Sequence, residues 1–341
     1  MRSQLYPGSL WGYCGACTMR PAPRLGDIMY SFAGGAMGVN KVLMTGAAGY
    51  IASQLLPTFA EQYEMVLVDV SDTNRDGNKV PGVNVVDLVD SDRSGYEALF
   101  EGVDAVVHLG YKRRSGAAVD HFSYENDNVA MAYNVMRSAY DAGVPRVTVA
   151  SSNHAADWYE HFLIHERKME VLDPYALALS DNFYGWAKAT YEHIGFLFAC
   201  GFPGDPDTIV ETAPGVNASA RRRLEVVMVR IGAPREINVE QFKDNPAGFK
   251  RDLGAYISQR DITQLFQKSI ETPDIENEHG VPWQVVYGIS NNTRAFWSLT
   301  SARSALDYEP QDDSEVKYAD EIRGFLTGDD PAGGVGRVGL S

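Results

Sequence analysis

Cysteine is scarce in this chain: Cys14, Cys17 and Cys200 are the three among 341 residues. That excludes a disulfide framework as the source of stability at this length. Cys14-Gly-Ala-Cys17 has redox or half-zinc spacing, yet no second cysteine pair completes a metal site. Positive charge is short too. Thirty Lys and Arg stand against 45 Asp and Glu, a formal charge of −15, and that sign does not suit a phosphate backbone. No apolar run reaches the length of a bilayer span. The first 36 residues lack the apolar stretch of a secretion signal. The expectation is a cytoplasmic protein with no nucleic-acid partner, no membrane partner and no metal. In that setting Asn217-Ala-Ser219 is a glycosylation sequon by pattern only. What is present, 45% hydrophobic and 22% charged residues, is ordinary for a globular enzyme with a large core.

Residues 1–36 are rich in Gly, Pro and Arg without periodicity, and they read as a disordered extension; the Gly-rich residues 328–341 read as a disordered tail. Residues 37–232 alternate strands with helical segments: strands at Val42–Met44, Glu64–Asp69, Val83–Leu88, Asp104–Gly110, Arg146–Ser151 and Leu224–Gly232. Helices are expected at Ser94–Phe100, His121–Ala142 (stopped by Gly143 and Pro145) and Asp181–Cys200. That alternation argues an α/β fold with a parallel, doubly wound sheet. Residues 233–327 are too few for a second large domain and read as a small substrate-binding cap. Its elements are a helix at Asp261–Glu271, a strand at Trp283–Tyr287 and a helix at Leu299–Leu306.

The chain is organised around Lys41-Val-Leu-Met-Thr-Gly-Ala-Ala-Gly-Tyr-Ile-Ala52. A strand breaks into a glycine turn and a helix starts at once. Gly46 permits the turn, Gly49 allows close approach of a pyrophosphate, and Ala52 lets the helix lie near the sheet. The free N–H groups of the helix start favour an anion. Asp69 ends the second strand, where a carboxylate accepts from ribose hydroxyls and repels a 2′-phosphate, favouring NAD over NADP; Arg75 in the next loop offsets this in part. Asp87 ends the third strand, where it could hold an adenine amino group. A solvated strand end is the plain alternative for each acid.

Tyr184-Gly-Trp-Ala-Lys188 sets a phenol and an ammonium one helical turn apart on one face. A neighbouring Lys⁺ and an oxidised nicotinamide both favour the phenolate, which predicts a lowered tyrosine pKa. Ser152, at the carboxyl end of the fifth strand, can hydrogen-bond the same substrate oxygen. On its own, a Tyr-x-x-x-Lys pair is more often an exposed helix face. His161 and His165 share a helix face at i, i+4, but without a third ligand they read as a surface pair. Arg221-Arg-Arg reads as a solvated run.

With Thr45-Gly-Ala-Ala-Gly-Tyr-Ile-Ala52, Asp69, Asp87-Leu88, His108-Leu-Gly110, Ser151-Ser152, Tyr184–Lys188 and Arg230-Ile-Gly232 together, the chain resembles the short-chain dehydrogenase/reductase superfamily. The resemblance lies in its extended, epimerase-like branch and runs from Lys41 to about Asp313. Within that branch, Val149-Ala-Ser-Ser-Asn-His154 and Tyr287-Gly-Ile-Ser290 look most like uronate dehydrogenases and related NAD-dependent aldose dehydrogenases. The resemblance implies a Rossmann-type fold and Ser152, Tyr184, Lys188 and Asn128 as catalytic residues. It implies NAD contacts from Gly46, Ala48, Gly49, Tyr50, Ile51, Asp69, Asp87, Leu88, Leu109, Gly110, Asn128, Tyr184, Lys188 and Ile231. Substrate contacts are implied at Ser152, Asn153, His154, Ala233 and Arg251, the last gripping a sugar carboxylate. It also implies a small-molecule sugar substrate and a homodimer formed through the helices bearing Asn128 and Tyr184. A nucleotide-sugar epimerase or dehydratase, which uses the same triad, is the alternative. Two departures stand out: Ala233 replaces an expected serine, and Tyr111-Lys-Arg-Arg114 replaces small polar residues.

Overall fold

Val42, Leu43 and Met44 are wholly buried, as are Ala105, Val106 and Val107. Strands covered on both faces read as continuous apolar runs, the mark of a parallel sheet under helices. The computed structural model describes residues 38–115, 120–201 and 222–327. The expected N-terminal extension and tail, the Cys14/Cys17 pair, Asn217 and Arg221 lie outside the described residues.

The strands are β1 (Lys41–Thr45), β2 (Glu64–Asp69), β3 (Val83–Val85), β4 (Ala105–His108), β5 (Arg146–Ser152), β6 (Glu225–Ile231) and β7 (Trp283–Gly288). They form one sheet in the order β3-β2-β1-β4-β5-β6-β7, every neighbouring pair parallel. This is a Rossmann-type doubly wound sheet. Its strand order reverses between β1 and β4, where ligands bind in such folds.

The helices follow from capping and periodicity. α1 (Tyr50–Gln62) turns Ala52, Leu55 and Phe59 onto the sheet. α2 (Phe122–Ala142) ends at Gly143 with φ of 87°, the left-handed conformation that glycine takes without strain. A single-turn α3 (Asp157–Tyr159) runs into a π-helical turn at Glu160–Ile164. α4 (Phe183–Ala199) is capped by Asn182, whose side chain accepts from the Gly185 N–H. Further on come α5 (Pro246–Ala255), α6 (Gln259–Glu271), α7 (Thr300–Leu306), α8 (Ser314–Lys317) and α9 (Ala319–Thr327).

Strand side chains alternate between two cores. Val42, Met44, Ala105 and Val107 pack with Leu55 and Phe59 of α1 and with Ile262, Leu265 and Phe266 of α6. Leu43, Val106, Val147 and Val149 pack with α2 and α4 on the other face. A smaller cluster of Ile237, Phe249, Leu253, Tyr256, Tyr318 and Phe325 sits in the C-terminal segment. Two expectations need correction. The third strand stops at Val85, two residues short of Asp87, and Ser94–Phe100 forms two 3₁₀ turns rather than one helix. An edge strand has one neighbour to bond, so little holds Val86–Leu88 extended.

Candidate active site

Gly46 follows β1 with φ of 66°, and a Cβ there would lie 2.8 Å from the backbone of Leu109 and Gly110. The two strand ends therefore touch, and any side chain would part them. Thr45 ties the same junction. Its Oγ1 accepts from the N–H groups of Leu109 and Gly110, each at 3.2 Å, and lies 2.7 Å from His108 Nδ1. The Leu109 N–H is shared with the Thr45 carbonyl, and the buried His108 Nε2 has no hydrogen-bond partner among the described residues. Burial pushes the His108 pKa down to about 3, with Lys188 adding to the effect, so the ring is neutral.

Around this junction opens a cleft of about 600 Å³. It gathers Gly46, Ala48, Gly49, Tyr50, Ile51, Asp69, Asp87, Leu88, Leu109 and Gly110, ten of the cofactor positions expected from sequence. That volume falls within the roughly 300–1,000 Å³ typical of small-molecule and cofactor sites. α1 has no side-chain cap, so its first N–H groups remain available to an anion. Asp69 Oδ2 accepts from Ala48 N–H at 2.9 Å, which fixes the carboxylate against the glycine turn. Asp87 reaches the cleft although it lies beyond β3. Ser71, Asn74 and Met131, which the sequence did not point to, also line it, as does Tyr111, which the sequence marks only as a departure. Arg75 lines it too, with its guanidinium 4.6 Å from the centre of the Tyr50 ring.

Asn128, Tyr184, Lys188 and Ile231 do not line the cleft; Tyr111 connects it to Tyr184 and Lys188. The Tyr111 ring stands edge-on to Tyr184 with centroids 5.5 Å apart, and its hydroxyl donates to the buried Glu125 at 2.9 Å. Lys188 Nζ lies 5.4 Å from the Tyr111 ring centre and 5.7 Å from that of Tyr184, and donates to Ala150 O at 2.9 Å. Asn128 Oδ1 accepts from Lys112 N–H at 2.7 Å, and its Nδ2 donates back to Lys112 O at 3.1 Å. It braces the segment after Gly110.

The electrostatics differ from expectation in one respect. Burial raises the Tyr184 pKa, and a hydrogen bond with Ser152 opposes this without overcoming it. The lowering expected from Lys188 does not appear. That ammonium is itself buried, which pulls its pKa down to about 8, and its proton is directed at a carbonyl.

Ser152 ends β5, and its Oγ accepts from His154 N–H at 3.2 Å. His154 stands edge-on to Tyr184 with ring centroids 5.5 Å apart, and its Nδ1 bonds Asp157 at 2.7 Å. Asp157, almost fully buried, also accepts from Asn182, the α4 cap, at 2.8 Å. A Cβ at Gly185 would lie 1.9 Å from His154 O, so α4 presses directly on this loop. Asn153, with its amide set to satisfy both ends, donates to Ile231 O at 2.9 Å and accepts from Arg251 at 2.7 Å. Ala233 is buried and bridges to Tyr256. Beneath the site Ser151 donates to Glu192, which holds the buried Arg230 by two bonds of 2.7 and 2.8 Å.

The histidines at 161 and 165 find acids: His161 meets Asp181 at 2.7 Å and His165 meets Glu160 at 3.2 Å. Among the described residues no group of three potential ligands could hold a metal. Nor is any described helix long and apolar enough to cross a membrane. Arg222 and Arg223 are engaged by Val144 O and by Glu276, respectively.

Residues 42–197 match the NAD dependent epimerase/dehydratase family. The chain is 28% identical over 299 residues to a uronate dehydrogenase of Pseudomonas syringae pv. tomato, covering 86% of this chain and 90% of that one. It is 29% identical over 287 residues to an NAD-dependent glucose-6-phosphate dehydrogenase of Haloferax volcanii, covering 80% and 94%. Among solved structures, a glucuronic acid dehydrogenase of Chromohalobacter salexigens superposes with a TM-score of 0.61 at 25% identity, covering 84% of this chain and 89% of that one.

Proposed function

We propose, from the match of residues 42–197 to the NAD dependent epimerase/dehydratase family, that the protein is an NAD-dependent oxidoreductase acting on the CH–OH group of a sugar or sugar acid. One observation carries the reading: Tyr184 hydrogen-bonds Ser152, Lys188 lies beside the Tyr184 ring, and Tyr111 links that pair to the glycine-turn cleft. NAD held by the α1 N-terminus, Asp69 and Asp87 supplies, when bound, the hydride acceptor and an oxidised ring whose positive charge favours the phenolate.

The chain's own residues do the rest. The Tyr184 phenolate takes the proton of the sugar hydroxyl. Ser152 Oγ bonds the same oxygen and holds it in line. Lys188 keeps an ammonium beside the phenol. Asn128 fixes the backbone of Lys112 and so the strand end next to Gly110. Asn153, His154, Ala233 and Arg251 form the sugar subsite, on the β5 loop and the segment from β6 through α5; the rest of the expected cap at 233–327 supplies β7 to the sheet and α6 to its core. Oxidation at the anomeric carbon gives a lactone. The same reading places the enzyme in the cytoplasm as a homodimer, with Phe122 and Tyr133 of α2 and Phe183 and Leu197 of α4, all partly exposed, facing a second copy.

The test is a panel of aldoses, uronic acids, sugar phosphates and nucleotide sugars incubated with the purified chain and NAD. Formation of NADH with a free sugar or sugar acid is expected. Turnover restricted to nucleotide sugars without net NADH would refute the reading.

A further inference from the structure

The charges beside Ser152 bear on which sugars fit. Asn153 follows Ser152 and accepts from Arg251 Nη2 at 2.7 Å, so Arg251 is a cation bound directly to the loop that carries the serine. Its hydrogens are already engaged. Nε donates to Glu160 Oε1 at 2.8 Å, Nη2 lies 3.3 Å from Glu160 Oε2, and Nη1 lies 3.3 Å from Asp252 Oδ1. Of the five N–H groups a guanidinium carries, one is left, too few for a two-point grip on an incoming carboxylate.

Glu160 is built in. It is 3% exposed, sits in the π-helical turn and also meets His165. Burial alone would raise its pKa, but His165 and Arg251 outweigh it and hold the carboxyl down at about 2, so it stays ionised. Asp252 is shared with Arg235 at 2.7 Å. On the segment after Gly110 the cations are matched in the same way, Lys112 by Asp127 and Arg114 by Glu125.

We propose that Glu160 is a specificity-determining residue: by compensating Arg251, it makes the subsite beside Ser152 select an uncharged aldose over a uronate or a sugar phosphate. The proposal rests on the sugar-oxidoreductase reading above and narrows its substrate class. An anionic group entering there meets Glu160 and Asp252 as like charges, whereas a hydroxyl can accept the remaining N–H and donate to a carboxylate.

The test compares kcat/KM of the full chain with NAD for matched pairs, glucose against glucuronate and galactose against galacturonate. Wild type should favour the aldose by about tenfold or more, the size expected when a carboxylate enters a partly buried site whose cation is already paired. Glu160→Gln should shift that ratio toward the uronate by about tenfold, chiefly through KM for the uronate. The inference is overturned by a wild-type preference for uronates, which needs no variant to measure, or by an unchanged ratio in a folded Glu160→Gln protein. Turnover of neither class would instead bring down the oxidoreductase reading itself, and this inference with it.

Discussion

Replacing Lys188 by methionine separates what the ammonium contributes to the site from what it costs the fold. The side chain is 4% exposed, and burial brings its pKa from 10.5 down to about 8 against the opposing pull of Glu125 and Glu192. That fall corresponds to about 3 kcal/mol of destabilisation near neutral pH, where the group is charged in both folded and unfolded chains. The sign follows from proton binding. Because the folded pKa is the lower, the unfolded chain binds more protons between about pH 8 and 10.5, and stability rises with pH across that window. By pH 10 about 1 kcal/mol of the penalty remains. Methionine removes the charge but leaves Ala150 O without the donor it has at 2.9 Å, a loss of about 1–3 kcal/mol, so the two proteins should differ little near pH 7. Urea denaturation at each pH is the assay. Wild-type stability relative to Lys188→Met should climb by about 2 kcal/mol from pH 7 to pH 10, while the variant turns over no sugar at any pH. A stability difference that stays flat over that range would refute the reasoning.

Gly185→Ala puts a methyl group 1.9 Å from His154 O and 2.1 Å from Ser180 Oγ, so α4 must withdraw from the β5 loop; we expect about 2–3 kcal/mol of destabilisation and a lower kcat, measured by thermal denaturation and steady-state kinetics. A variant as stable and active as wild type would show that this contact does not position Tyr184. Glu192→Gln leaves the Arg230 guanidinium buried without its carboxylate and should cost about 3–5 kcal/mol in urea, more than a double replacement of the pair by apolar residues. Equal losses in the single and double variants would contradict that.

The parts of the site legible in the sequence are those encoded by short spacings. The glycine turn, Asp69 at the end of β2, and the Tyr184–Lys188 turn each depend on neighbours within one strand, loop or helix, and local periodicity reports them. The helix stop at Gly143 was legible for the same reason. Long-range pairing was not. Glu160 is 91 residues from Arg251, and Glu192 is 38 from Arg230, so no spacing rule joins them. The π-helical turn that turns Glu160 inward carries no periodic signal. Tyr111 was visible as a departure from family pattern, yet its contact with Tyr184 depends on how α2 and α4 pack. The direction of the Tyr184 pKa depends on burial, which a Tyr-x-x-x-Lys spacing does not convey.

The central claim is that the Tyr184 hydroxyl moves the substrate proton beside the nucleotide cleft. Tyr184→Phe, with NAD affinity from calorimetry and NADH formation followed on the best sugar of the panel, tests it most directly. The account predicts unchanged NAD binding and a kcat lower by about 10²–10⁴-fold, the usual contribution of a positioned acid–base group. Turnover at the wild-type rate in that variant would contradict it.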